Sequence, residues 1–333
     1  MSRFPVFVGL TSLIAAIAPA AQAFELAAPQ PLYTTAGAPA AAIVAPGSGY
    51  DGVVRLNLDW ATCSGSLLST GAHILTAAHC LPRASSGAAD FFAQAQFNLT
   101  TGFAFRTVSQ FFLPAPWTGD WGFEAWRGYD LAILELSASA PAAAERYELY
   151  RDRDELGRVA DKVGYGRSGT GASGDTLWSG TKRAGQNRYD ALGNRFTSRA
   201  GDRLLIYDFD SGLAANDRLG SDLGLGAAEV MAAPGDSGGP SFIDGLLAGI
   251  TSWRSGGSFY DVDSQTNSSF GELGGDTRVS AHTDWIDGIL NHWWLAQTSA
   301  TPATSIPEPG LGLGLLGLGA WLWRNRRRVS HSD

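Results

Sequence analysis

Three short segments, far apart along the chain, constrain it more than anything else in the sequence: Thr76-Ala77-Ala78-His79-Cys80, Gly128-Tyr129-Asp130-Leu131-Ala132-Ile133-Leu134 and Gly235-Asp236-Ser237-Gly238-Gly239-Pro240. A serine hydroxyl is a weak nucleophile near neutral pH. It serves acyl transfer when an imidazole takes its proton and a shielded carboxylate holds that imidazole in one tautomer. His79, Asp130 and Ser237 are the residue types this chemistry needs. The apolar run after Asp130 puts the carboxylate at the mouth of a buried strand. The glycines at 235, 238 and 239 permit backbone conformations that aim amides into a cleft. A fold that uses these segments must bring all three to one place.

The order His, Asp, Ser and the residues around each resemble the chymotrypsin/trypsin family of serine endopeptidases, over roughly Ile43 to Gln297. The resemblance implies an all-β fold of two six-stranded antiparallel β-barrels with a C-terminal helix and the site between the barrels. It implies that His79 acts as base and then acid, that Asp130 orients it, and that the amides of Gly235 and Ser237 form an oxyanion hole. Cys63 and Cys80 match the family's bridge beside the histidine. Asp236 matches a carboxylate that pairs with a new α-amino group after activation cleavage. Ile43-Val44 is the nearest match to that terminus, although Ala42 precedes it in place of Arg or Lys. Met231 and Ala232 stand where trypsin-like members place an aspartate and its neighbour, which argues against selection of Lys or Arg. Ala233 replaces a cysteine common in relatives. Ser252-Trp253-Arg254 resembles the segment whose backbone pairs with substrate, with Arg254 in place of glycine, and Gly274 matches the other pocket-wall glycine. No metal and no cofactor is implied.

The residues alone support a β-rich chain. Short β-prone runs, Val53 to Leu58, Ser66 to Leu68, His73 to Thr76, Leu131 to Leu136, Val159 to Tyr165, Leu204 to Phe209 and Leu246 to Trp253, recur between Gly, Asn, Asp and Ser clusters, the rhythm of a sandwich or barrel. One helix breaks it, with Trp285, Ile286, Ile289, Leu290, Trp293 and Trp294 on one stripe after Thr283 and Asp284. Asp202, Asp208, Asp210, Asp217 and Asp222 lack the spacing of an EF-hand and read as a solvated acidic loop. His73, His282 and His292 read as structural.

The two ends carry addresses. Met1-Ser2-Arg3, an apolar run from Val6 to Ala18 and Ala21-Gln22-Ala23 have the zones of a secretory signal peptide over residues 1–23, a substrate of signal peptidase. An Ala- and Pro-rich leader or propeptide over 24–42 precedes the protease domain at 43–298, and a linker spans 299–306. Residues 307–333 hold Pro307-Glu308-Pro309, an apolar stretch Gly310 to Trp323 and Arg324-Asn325-Arg326-Arg327-Arg328. This resembles the PEP-CTERM sorting signal of Gram-negative bacteria, which implies an exosortase partner, a passing stay at the inner membrane and release to the surface or medium. An ordinary C-terminal anchor is the alternative. Only two cysteines exist, and in an exported chain a lone pair usually forms one disulfide. Loss of Arg3, Arg324, Arg326, Arg327, Arg328 and Asp333 with the two ends takes the formal charge from -8 to -12, which excludes nucleic acid as a natural partner. The expected partners are protein or peptide substrates. A silent binding protein on a protease scaffold is the competing reading.

Overall fold

The computed structural model describes residues 33–81 and 85–300, with side chains through 297. The signal segment 1–23 and the sorting segment 307–333 lie outside these residues. No helix among the described residues is long and apolar enough to cross a membrane.

The described chain begins with a short strand, β1 (Tyr33–Thr35), and a 3₁₀ turn at Pro39–Ala42. Seven strands then build the first sheet: β2 (Val53–Leu58), β3 (Thr62–Leu67), β4 (His73–Thr76), β5 (Gly87–Ala88), β6 (Ala93–Leu99), β7 (Gly102–Phe112) and β8 (Ala132–Leu136). In β6 every second residue, from Ala93 through Ala95 and Phe97 to Leu99, is buried, because successive side chains on a strand face opposite sides. The order is β5-β7-β6-β2-β3-β4-β8, and pairing of β7 with β8 closes six of the strands into a barrel. Closure leaves the two-residue β5, paired with β7 alone, as the edge of this sheet among the described residues.

The second half supplies β9 (Val159–Gly164), β10 (Ser168–Thr170), β11 (Gly174–Leu177), β12 (Arg183–Arg188), β13 (Ala191–Leu192), β14 (Leu204–Asp208), β15 (Val230–Met231), β16 (Pro240–Ile243), β17 (Leu246–Ser255) and β18 (Leu273–Arg278). The main sheet runs β12-β9-β16-β17-β18-β14-β13. It is a half-barrel: among the described residues β12 and β14 share no backbone ladder. Asn187 of β12 spans that gap instead, its amide donating to Asp208 O at 2.8 Å and Val230 O at 3.0 Å. A third, four-stranded sheet has the order β11-β10-β1-β15. Thus residues 33–35, inside the stretch read from sequence as a leader, are paired with strands of the second half, and Thr34 is fully buried.

Two α-helices complete the described residues. The single turn α1 (Trp121–Glu124) is capped by Asp120, whose carboxylate accepts from Phe123 N at 3.3 Å. The helix α2 (Thr283–Ala300) belongs to a separate compact unit that starts at His282. Ile286 and Leu290 are buried, while Trp294, expected on the same stripe, is exposed. The stripe is therefore narrower than the sequence pattern suggests.

Candidate active site

The first side chain comes from the end of β4. After Thr76 the chain makes one 3₁₀ turn, Ala78–Cys80, that lifts His79 from the barrel wall. The turn is pinned behind the histidine by the Cys63–Cys80 disulfide, which ties it to β3 with Cα atoms 6.3 Å apart.

Asp130 comes from the entrance to β8. Gly128 ends the preceding turn with φ of 72°, and a Cβ there would lie 2.6 Å from Arg203 Cβ, so only glycine fits. Asp130 is fully buried, and Oδ2 accepts a hydrogen bond from His79 Nδ1–H at 2.7 Å while Oδ1 accepts from the His79 backbone N at 2.9 Å. The carboxylate thereby fixes both ring and backbone. Ser252 Oγ also donates to Oδ2, at 2.5 Å. Ser252 can do so because β17 slips register between Thr251 and Trp253, and the extra residue at the bulge is Ser252. Thr277 Oγ1 holds Asp130 O at 2.9 Å.

Ser237 lies in the turn before β16. Its carbonyl accepts from Ser64 N at 2.8 Å, and Ser64 Oγ donates to Gly235 O at 3.0 Å, so β3 of the first barrel grips the nucleophile turn of the second half. Gly238 has φ of 79° and a Cβ there would meet Thr76 Oγ1 at 2.0 Å. The amides of this turn divide into two sets. Those of Asp236, Gly238 and Gly239 donate to Ala233 O, Thr251 O and Asp236 O. Among the described residues those of Gly235 and Ser237 have no protein acceptor. Two donors left unpaired next to a serine are preorganised for an anion.

Asp236 is buried on the other side of the turn. It accepts from Gly166 N at 2.7 Å and Ala233 N at 2.9 Å. Burial pushes its carboxyl up to about 7, against the pull of those amides and of the cations Lys162 and Arg183. The expected pairing needs an Ile43 ammonium, which only cleavage before Ile43 creates. In this uncut chain the Ile43 nitrogen is a peptide donor to Ala40 O at 3.4 Å, and the residue is 42% exposed in a bridge with Arg183.

Two clefts meet at His79 and Ser237. One, of about 390 Å³, is walled by Trp121, Ala232, Ala233, Pro234, Trp253 and Arg254. The other, of about 460 Å³, is walled by Trp60, Thr62, Arg167, Trp178 and Gly235.

A sequence profile described as Trypsin matches residues 45–286, a span that holds the three segments and both main sheets. The chain belongs to the trypsin family. An uncharacterized peptidase and a putative peptidase, from two strains of Corynebacterium glutamicum, are each 27% identical to it over 241 residues. The match covers 71% of this chain and 66% of each relative, so the chain spans just under two thirds of their length. Among solved structures, neuropsin, a serine protease expressed in the limbic system of mouse brain, aligns with a TM-score of 0.56 at 18% identity, over 75% of this chain and 98% of its own. That likeness speaks for the fold.

Against the trypsin-family template, the pocket residues divide. Ala232, Ser252, Trp253 and Arg254 line the first cleft. Met231 does not: it is fully buried in a core cluster with Tyr189, Tyr207 and Phe209, because it faces inward from β15. Gly274 does not open the pocket either. The Tyr207 ring fills the space beside it, 2.2 Å from where a Cβ would stand. Arg254 donates to Ser268 Oγ at 2.9 Å and pairs with Asp175 at 3.3 Å. Burial raises the Asp175 carboxyl, with Arg254 and Arg167 opposing. Sequence reasoning missed Asp175, Ser64 and Trp121, whose ring lies 5.8 Å from that of His79. None of the three belongs to a recognisable motif.

Proposed function

We propose that this trypsin-family chain is an exported serine endopeptidase that cuts peptide bonds through His79, Asp130 and Ser237. The observation that carries the reading is the meeting of two clefts at one histidine and one serine beside two unpaired amides. A peptide can extend both ways from that point, as internal cleavage requires.

In this mechanism Ser237 Oγ attacks the scissile carbonyl carbon as its proton passes to His79 Nε2. Asp130 holds Nδ1–H and stabilises the imidazolium. The carbonyl oxygen, now an anion, receives the Gly235 and Ser237 amides. On collapse the C–N bond breaks and His79 returns its proton to the departing amine. A water molecule, deprotonated by the same imidazole, then attacks the acyl-enzyme, and the serine is released with its proton restored. Residues before the cut lie along Ser252 and Trp253, whose backbone can pair with an extended chain. The cleft walls are apolar around Ala232 and Ala233, and the charge of Arg254 is met by Asp175. Small or medium apolar residues suit it better than Lys or Arg.

The test is peptide hydrolysis by Ser237→Ala, His79→Ala and Asp130→Asn. Each is expected to lose about 10⁴-fold or more in kcat with the fold intact, because the three act as one unit. Turnover that persists in Ser237→Ala refutes the triad; a parent chain that binds peptides and cuts none supports the silent scaffold. The export and sorting readings rest on residues 1–23 and 307–333. Their check is the terminal peptides of protein recovered outside the cytoplasm. A C-terminal peptide still ending at Asp333 favours a simple anchor.

A further inference from the structure

Strand β14 ends at Asp208, and the connection to β15 has Asp210 as its second residue and closes with Glu229. Sequence alone gave this stretch a solvated character, and the structure corrects it. Asp208 is 1% and Asp210 5% exposed. Asp208, Asp210 and Asp217 each place a carboxylate oxygen within 4.8 Å of the others. Asp208 Oδ2 is used by the backbone, accepting from Arg218 N and Leu219 N at 2.7 Å each. Its Oδ1, and Oδ1 of Asp210, are buried and accept no hydrogen bond among the described residues.

The cations of the same region are committed elsewhere. Arg188 pairs with Asp222 at 2.5 Å, the Arg218 guanidinium reaches Ser255 O at 3.2 Å, and Arg195 reaches Leu219 O at 3.3 Å. Among the described residues no Lys or Arg forms an ion pair with Asp208, Asp210 or Asp217. Glu229, also buried, adds a fourth acid, its Oε1 accepting from Asp210 N at 2.7 Å. Asp190 adds a fifth, its carboxyl within hydrogen-bonding reach of the Asp208 carboxyl, so that the two share a proton unless a cation lies between them. The group is a set of largely buried acids with no Lys or Arg paired to its three central members among the described residues. Buried charges persist when paired or bound to a metal.

We propose that Asp208, Asp210 and Asp217 bind one calcium ion. The donors are all oxygen, which selects a hard cation. Magnesium keeps several waters in a strict octahedron, and two nearly buried carboxylates leave it little room; calcium accepts an irregular set of carboxylate oxygens. None of the three residues lines either cleft at Ser237, so the site is separate from the catalytic constellation. Its consequence reaches that constellation through the chain. The ion would fix the connection whose last residue, Glu229, leads through β15 to Ala232, Ala233 and Pro234 on the cleft wall.

The experiment uses the full chain carrying Ser237→Ala, to prevent self-cleavage, stripped with a chelator and titrated with calcium chloride in a calorimeter. One equivalent is expected to bind, and calcium at one hundred times its dissociation constant is expected to raise Tm by about 5–10 °C. Asp210→Asn should abolish uptake and raise the Tm of the calcium-free protein, since it removes an unpaired buried acid. If that variant does not fold, Asp217→Asn, at a half-buried position, carries the same test of uptake. Heats of dilution alone, or unchanged affinity in the Asn variants, overturn the site. Magnesium bound as tightly as calcium overturns the choice of ion. None of these readouts depends on proteolysis.

Discussion

Lys162 and Asp276 face each other across the second sheet, Nζ to Oδ2 at 2.6 Å, with side chains 1% and 0% exposed. Lys162 also donates to Ser241 Oγ at 2.8 Å and sits 4.0 Å from the Tyr207 ring centroid, while Ser241 and Tyr189 hydroxyls each donate to Asp276 Oδ2 at 2.6 Å. Burial pulls the ammonium below its usual range and the Asp276 carboxylate opposes that pull. Substituting Lys162→Met keeps the length of the stem and removes the charge. Asp276 is then a buried carboxylate with two hydroxyl donors on one oxygen, and Oδ1 remains unpartnered. Removing one member of a buried pair costs about 3–5 kcal/mol, most of it from the charge left behind. In urea, with m of about 2–3 kcal/mol/M, that is a midpoint lower by about 1–2 M. Asp276→Asn in the same background removes the orphan charge while keeping an acceptor for Ser241 and Tyr189. The double variant is therefore expected to be more stable than Lys162→Met alone, by about 2 kcal/mol, whereas independent substitutions would add their costs. Equilibrium unfolding of the four proteins at constant m measures it. If the two substitutions add, or if Lys162→Met shifts the midpoint by less than a few tenths of a molar, the pair does not stabilise the sheet as argued.

Three further expectations follow from particular contacts. Replacing Cys63 and Cys80 with Ala should cost about 3 kcal/mol, the chain-entropy value for a separation of 17 residues, and a calorimetric Tm within 2 °C of the parent would contradict it. His73 is buried and its imidazole is pushed down to about 4. Its unfolded counterpart takes up a proton near 6.5, so stability is lost as pH falls from about 6.5 to about 4, by up to about 3 kcal/mol; His73→Gln should flatten that limb of the urea profile, and an unchanged limb would assign it to other groups. Arg254→Gly should enlarge the first cleft and leave Asp175 paired with Arg167 alone, moving the peptide-library profile toward larger residues before the cut, whereas an unchanged profile would show that Arg254 does not shape the pocket.

The sequence made the site legible where chemistry and sterics coincide in a short window. Gly238 must be glycine because Thr76 occupies the space of a side chain, and His79, Asp130 and Ser237 each sit in a segment built around one geometry. Strands Val53–Leu58 and His73–Thr76 have the same bounds in sequence and structure; Asp51-Gly52 and Asp59 flank the first, and Thr70-Gly71 precedes the second. What stayed hidden depends on partners remote in sequence. Met231 and Gly274 were placed by position relative to Ser237 or to Thr277, and spacing does not say which way a side chain faces on a twisted strand. Tyr207, not Gly274, decides whether that wall is open. Asp208 and Asp210 look like surface residues by type, and only the connection folding back over them buries them. Asn187 offers no pattern, yet its amide bridges two strands that have no shared ladder.

Strand β1 bears on when the fold can form during synthesis. Tyr33–Thr35 pairs in parallel with Ser168–Thr170 and antiparallel with Val230–Met231, and Thr34 Oγ1 donates to Met231 O across 197 residues of sequence. Loop closure must precede any reward from such contacts, so pairing of this reach is slow. A chain emerging N-terminus first, at the far side of a membrane as at a ribosome, can complete the first barrel once Leu136 is out, while strand β1 still lacks both neighbours. The segment that leads to Ser237 is the last of those neighbours to appear. A nascent chain therefore carries a folded histidine and aspartate well before it holds a nucleophile turn, and the ordering delays any cutting power until nearly the whole domain exists.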